Sequence, residues 1–249
     1  MIINKIKNKT SSMYEVTFDN VVLDIYDETI IKYRLVINKS IDNKLFEEIK
    51  KYNNAMFYFF VLKNKIGKKL MSKREVTTYL KNKLLSEEDI SIVLNKLESI
   101  NLINDDLYVN AFINDKLLLT KSGSSKIKKE LIDKGISIDL VDMKLSQINE
   151  EIWINRASKI INKKINSNKK DSAKMLTIKI KNYLYNEGYE NYLYLVSVPY
   201  DEEILISEYR KLIMRNEKRG IKKTSQEIFS ILISKGFMYE DIKKLECDF

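Results

Sequence analysis

The sequence predicts a mainly α fold, tandem three-helix repeats forming an elongated curved array, with a small N-terminal β-hairpin or mixed module ahead of it. Three observations lead there. Only 6 Gly and 1 Pro occur in 249 residues, so few positions interrupt a helix. Apolar residues recur at helical spacing along most of the chain. The stretch from Lys126 to Leu145 also returns three more times with a period of about 50 residues, as in a solenoid-like array whose units bury their apolar faces against their neighbours.

Gly135 sets the register, with counterparts at Leu84, Gly188 and Gly236. Four residues earlier stand Leu80, Leu131, Leu184 and Leu232, and eight earlier Val76, Ile127, Ile180 and Ile228. One residue later come Leu85, Ile136, Tyr189 and Phe237, and six later Ile90, Val141, Tyr194 and Ile242. These columns are apolar throughout and read as packed core. Glycine at the reference position suits the left-handed turn that closes a helix.

In chain order, Met13 to Phe18 and Val21 to Tyr26 read as a β-hairpin turning at Asp19-Asn20, with Ile2 to Lys7 as a third strand. Asp27 is placed to cap a short helix through Leu35, and this module ends near residue 41. Repeat one spans 42–100. It opens on a helix broken at Asn53-Asn54, a Ser72/Glu75 capping box starts the next helix, and Ser86 caps the third. Repeat two spans 101–150, with an acidic cap at Asp105-Asp106 before a helix to about Leu119, a polar loop from Thr120 to Ser125, and two helices bracketing Gly135. Repeat three spans 151–199, begins near Trp153, and carries a polar linker from Asn162 to Ser172 that reads as a solvated loop. Pro199 marks the boundary before repeat four, 200–249, where Gly220 ends the first helix and Thr224 with Glu227 forms another capping box.

Charge narrows the class of partner. With 44 Lys+Arg against 35 Asp+Glu, the net charge of +9 favours polyanions or an acidic protein face. The chain has no His, and the lone Cys247 lacks a partner for thiol catalysis or a disulfide. Lys121-Ser122-Gly123-Ser124-Ser125 lacks phosphate-loop spacing, and the acidic groups Glu87-Glu88-Asp89 and Asp105-Asp106 sit where helix starts favour acids rather than metal. No signal peptide or apolar run of membrane-spanning length is present, so a soluble, cytoplasmic, non-enzymatic protein without cofactor or metal is expected.

The functional candidates are therefore basic: Lys73, Arg74, Lys81, Lys83, Lys126, Lys128, Lys129, Lys134, Arg156, Lys222 and Lys223. Several occupy equivalent repeat positions, so stacked units would present them as a stripe for a protein partner or DNA.

Arg74-Glu75-Val76 before Tyr79-Leu80, Leu102-Ile103-Asn104-Asp105-Asp106-Leu107-Tyr108, Lys129-Glu130-Leu131 to Lys134-Gly135, and Leu232-Ile233-Ser234-Lys235-Gly236-Phe237 resemble the repeats of the RecX family. The N-terminal hairpin resembles the extension of Firmicute members, and the likeness covers nearly the whole chain. The chain departs from the family pattern at Leu84 and Asn101, where glycine is usual, and in a weak third repeat with Glu190-Asn191 for a cap. The resemblance implies a monomeric regulator of DNA recombination, repair and the SOS response. It would lodge in the groove of the RecA nucleoprotein filament, touch DNA weakly, and limit strand exchange and ATP turnover. The alternative is a helical-repeat protein that binds DNA directly, independently of RecA.

Overall fold

In the computed structural model, which describes residues 1–218, 220 and 224–248, the N-terminal strands follow the alternation of the sequence. Strands β1 (Ile3–Thr10), β2 (Met13–Phe18) and β3 (Val21–Tyr26) form an antiparallel sheet in the order β1-β2-β3. Val16 lies opposite Ile6 and Leu23 and is fully buried, as is Phe18. The β2–β3 turn places Asp19 at a φ of 47°, and its carboxylate accepts the Ile2 N–H at 2.9 Å.

Helix α1 (Asp27–Tyr33) corrects two expectations. Tyr26 is the capping residue and Asp27 is the first helical position, where its carboxylate accepts the Glu28 N–H at 2.8 Å. The helix stops at Arg34, whose φ is 47°, so Leu35 is buried outside it. Helix α2 (Asn43–Ile66) runs unbroken through Asn53-Asn54, against the expected break. Asn53 turns its competing amide outward: Oδ1 accepts from the Tyr26 N–H at 2.9 Å and from Thr29 Oγ1 at 3.1 Å, and Nδ2 donates to the Asp24 carbonyl at 2.8 Å. The side chain thus pins the sheet and α1 to α2 and leaves the helix backbone intact.

The chain folds into two compact units, residues 1–112 with 131–140 and residues 113–130 with 141–249. In the first, α2 and α3 (Lys73–Lys81) pack on α4 (Glu87–Ser99) around Leu62, Val76, Leu80, Val93 and Leu97. Both bonds of the Ser72/Glu75 capping box form, and Ser86 caps α4 through the Asp89 N–H at 3.2 Å. The cap of α5 (Asp105–Leu119) is Asn104, whose Oδ1 takes the Leu107 N–H at 3.1 Å. The expected acidic cap, Asp105-Asp106, forms the first turn instead. Helices α6 (Ser124–Asp133) and α7 (Ile138–Ser146) bracket Gly135.

In the second unit, α8 (Glu150–Asn166) is capped by Asn149 and extends four residues past the expected start of the linker at Asn162. Lys163 and Lys164 therefore lie on its last turn. It packs on α9 (Ala173–Asn186) and on a 3-10 helix, Glu190–Leu195. That short helix replaces the third α-helix expected of this segment, and it turns Tyr194 out to 68% exposure while Tyr189 and Tyr192 fill the core. No side-chain cap holds its start, and the backbone turns extended at Val196, which ends it. Helices α10 (Glu202–Lys218), α11 (Ser225–Ser234) and α12 (Tyr239–Asp248) share a core around Leu205, Phe229, Leu232 and Ile242. Both bonds of the Thr224/Glu227 capping box are present. Among the described residues, no helix is long and apolar enough to cross a membrane.

Candidate polyanion-binding site

Five of the eleven basic residues expected to form a stripe are held by acids. Lys73 pairs with Glu98 at 2.6 Å, Lys81 with Glu87 at 2.9 Å, Lys126 with Glu187 at 3.1 Å, Lys128 with Asp142 at 2.6 Å and Lys134 with Glu75 at 2.6 Å. Arg74 is occupied differently, its aliphatic carbons lying against Gly135. Lys83 sits 5.9 Å from the Tyr79 ring centroid, Lys129 is exposed, and Lys222 and Lys223 lie outside the described residues.

Several of these cations belong to a joint that recurs at three places, where the start of one helix meets the glycine turn after another. In the first, Ser72 Oγ donates to the Lys134 carbonyl at 2.8 Å, satisfying an orphan group at the end of α6. In the second, the Gly123 N–H donates to the Glu187 carbonyl at 2.6 Å beside the Lys126–Glu187 pair. In the third, Ser172 Oγ donates to the Lys235 carbonyl at 2.8 Å, and Lys235 Nζ meets the buried Glu208 at 2.6 Å. The turns pack so closely that a Cβ at Gly188 would lie 2.4 Å from the Lys126 nitrogen. Leu84, at the matching position with a φ of 59°, is 92% exposed.

The first joint makes stability depend on pH. Burial acts to raise the Glu75 carboxyl, but the Lys134 ammonium, the Ser72 N–H and the Tyr108 hydroxyl outweigh it and hold the group below the usual carboxylate range. A carboxyl whose pKa is depressed by folding stabilises the native state above its unfolded value, and loses that contribution as pH falls through the folded value. Glu75→Gln should therefore be less stable than the parent chain at neutral pH, and the gap should narrow as pH falls below the ordinary carboxylate range. Denaturant titrations at neutral and acidic pH check this. A gap that stays constant would show that Glu75 carries no charge-dependent role.

Arg156 is the one predicted site residue that leads to a different place. Its guanidinium donates to the carbonyls of Leu117 at 2.5 Å and Thr120 at 2.7 Å, and to the Tyr189 hydroxyl at 3.2 Å. No carboxylate meets it among the described residues. It contributes to a cavity of about 380 Å³ lined also by Lys121, Lys159, Ile160, Lys163, Lys164, Tyr183 and Tyr189, with no acidic residue in the lining. Arg156, Lys159 and Lys163 share one face of α8 through their helical spacing, and Lys164 Nζ lies 3.8 Å from the Tyr183 ring centroid. Lys121, Lys159, Lys163 and Lys164 make no ion pair among the described residues. Sequence reasoning left these four lysines out of the candidate site, favouring a solvated loop over a binding site for the linker that holds Lys163 and Lys164. The spacing of Arg156, Lys159 and Lys163 was the available signal, hidden by ending the helix at Asn162.

The comparisons with known proteins converge. No family model matches the chain. A "Regulatory protein RecX" from Listeria monocytogenes serotype 4a is 23% identical, covering 96% of this chain and 92% of that protein. One from Streptococcus agalactiae serotype V is 28% identical, covering 98% and 97%. Two solved structures share the fold. One, the crystal structure of regulatory protein RecX, has a TM-score of 0.68 at 21% identity and covers 78% of this chain and 96% of its own. The other, RecX from Lactobacillus salivarius, has a TM-score of 0.51 at 25% identity and covers 59% and 92%. Sequence likeness to regulatory RecX proteins along almost the entire chain, on the same helical fold, supports membership of the RecX family.

Proposed function

We propose that the chain is a non-enzymatic regulator that binds RecA–DNA filaments in the cytoplasm and restrains their recombinase and ATPase activity. The observation that carries the reading is the near full-length likeness to regulatory RecX proteins. The cavity on α8 supports a part in it: a cluster of unpaired lysines is where a helical protein with net charge +9 would meet the phosphates of the filament's DNA. The division of labour among the cations supports the same reading. Those in the joints hold the fold together, and those in the cavity remain available to a partner.

The cavity also gives the direct DNA-binding alternative its footing, since phosphates of a bare strand satisfy the same lysines. RecA's ATPase on single-stranded DNA separates the two. Adding the purified protein in near-stoichiometric amounts should depress turnover. Undiminished turnover with the protein bound to the DNA would favour the alternative.

A further inference from the structure

We infer that the cavity on α8 takes one nucleotide, with its phosphate on Lys159 and Lys163 and its ring system against the wall made by Ile160 and Tyr183. The inference rests on the cavity being an anion site and requires nothing of RecA. Charge comes first. Arg156 places a fixed positive charge at the cavity without a carboxylate in the lining to balance it, and most of its donors are taken by the Leu117, Thr120 and Ser122 carbonyls and the Tyr189 hydroxyl. It therefore attracts an anion without grasping it, and the exposed ammonium groups of Lys159 and Lys163, one helical turn apart on α8, are left to make the bonds.

Shape and chemistry then narrow the anion. At about 380 Å³ the cavity has the dimensions of a small-molecule pocket, larger than a bare phosphate group fills. The lining also includes Ile160, Tyr183 and Tyr189, and Lys164 over the Tyr183 ring anchors that side chain. Cations beside an aromatic wall match a phosphate joined to a planar base, and such contacts tolerate any base sequence. An acidic peptide fits less well. Its carboxylates would satisfy the lysines but would leave the Ile160 and Tyr183 side of the lining without a planar ring against it. The nucleotide's source is a strand or the free pool, and the chemistry is the same for both.

The test uses the full chain without RecA, so its outcome is independent of the ATPase assay. ATP and inorganic tripolyphosphate are titrated by calorimetry, and a labelled short oligothymidylate by fluorescence anisotropy. ATP or the oligothymidylate should bind, and tripolyphosphate should bind several-fold more weakly than ATP because it has no ring. Lys159→Glu with Lys163→Glu should weaken binding at least about tenfold and flatten its salt dependence. The charge-matched Lys5→Glu with Lys7→Glu, on the exposed side of β1, should not. Tyr183→Leu should weaken ATP and leave tripolyphosphate unchanged; should that variant unfold, the ATP-to-tripolyphosphate comparison on the unmodified chain still decides. Binding of ATP alone assigns the site to free nucleotides, and of the oligothymidylate alone to a strand. Equal loss in the control, tripolyphosphate as tight as ATP, or no binding of any probe would overturn the proposal.

Discussion

Gly188→Ala should destabilise the protein by roughly 2 to 4 kcal/mol, combining a side chain forced into left-handed backbone with overpacking of a filled joint. The φ at this residue is 84°, and the added methyl would lie 2.4 Å from the Lys126 nitrogen and 2.7 Å from its Cβ. Backbone cannot withdraw as the tip of a flexible side chain can. Across the joint, Gly123 is equally committed, since a Cβ there would stand 2.3 Å from the Gly188 carbonyl oxygen. The opposite substitution at the equivalent position should have the opposite sign. Leu84 already holds a φ of 59° and is 92% exposed, so Leu84→Gly removes strain and forfeits almost no packing. It should be neutral to about 1 kcal/mol stabilising. Denaturant midpoints of the two variants measure this, and a shift of both in the same direction would contradict the joint.

Leu131→Ala and Leu184→Ala should each cost about 2 to 5 kcal/mol, as deletion of a fully buried leucine leaves a cavity that the surrounding helices fill only in part. Both residues are 0% exposed, like Leu80 and Leu232 in the same column. Lys128→Ala breaks only its partly exposed pair with Asp142 and should change stability by less than about 1 kcal/mol. Equal losses in all three variants would break the column register.

What proved legible in the sequence was local. The three strands, the Ser72 and Thr224 capping boxes, and the columns holding Leu131 and Ile127 depend on neighbours a few residues away, where periodicity and capping chemistry operate. Asn53 shows where that ends: its preference for turns was real, but its amide found partners in the sheet and α1. Tyr194 failed for a related reason, since an apolar residue in the right column is exposed once the helix that should carry it tightens into a 3-10 turn. The basic residues were the least readable. Glu75 and Lys134 are 59 residues apart and Lys126 and Glu187 are 61 apart, so no local pattern announces that these charges are spent on each other. The cavity combines one face of α8 with Lys121 and Tyr183 from distant segments, and only folding brings them together.

Reversal of Lys126, Lys128 and Lys129 together acts on charges of which two are already paired. It sets carboxylates against Glu187 and Asp142, and should lower stability through the second joint before it alters any binding. Reversal of Lys159 and Lys163 opposes no partner in the cavity lining and should leave the fold intact.

The most direct measurement of the central claim is a titration of the protein against RecA-coated and naked single-stranded DNA at low and physiological salt. Binding to the bare strand is mainly counterion release and should collapse as salt rises. Binding to the filament should fall much less, because contacts with protein add apolar area that salt does not screen. Filament binding that persists at physiological salt, with the naked strand released, is the predicted result. Equal affinity for both at physiological salt would contradict it and leave a protein that reads DNA alone.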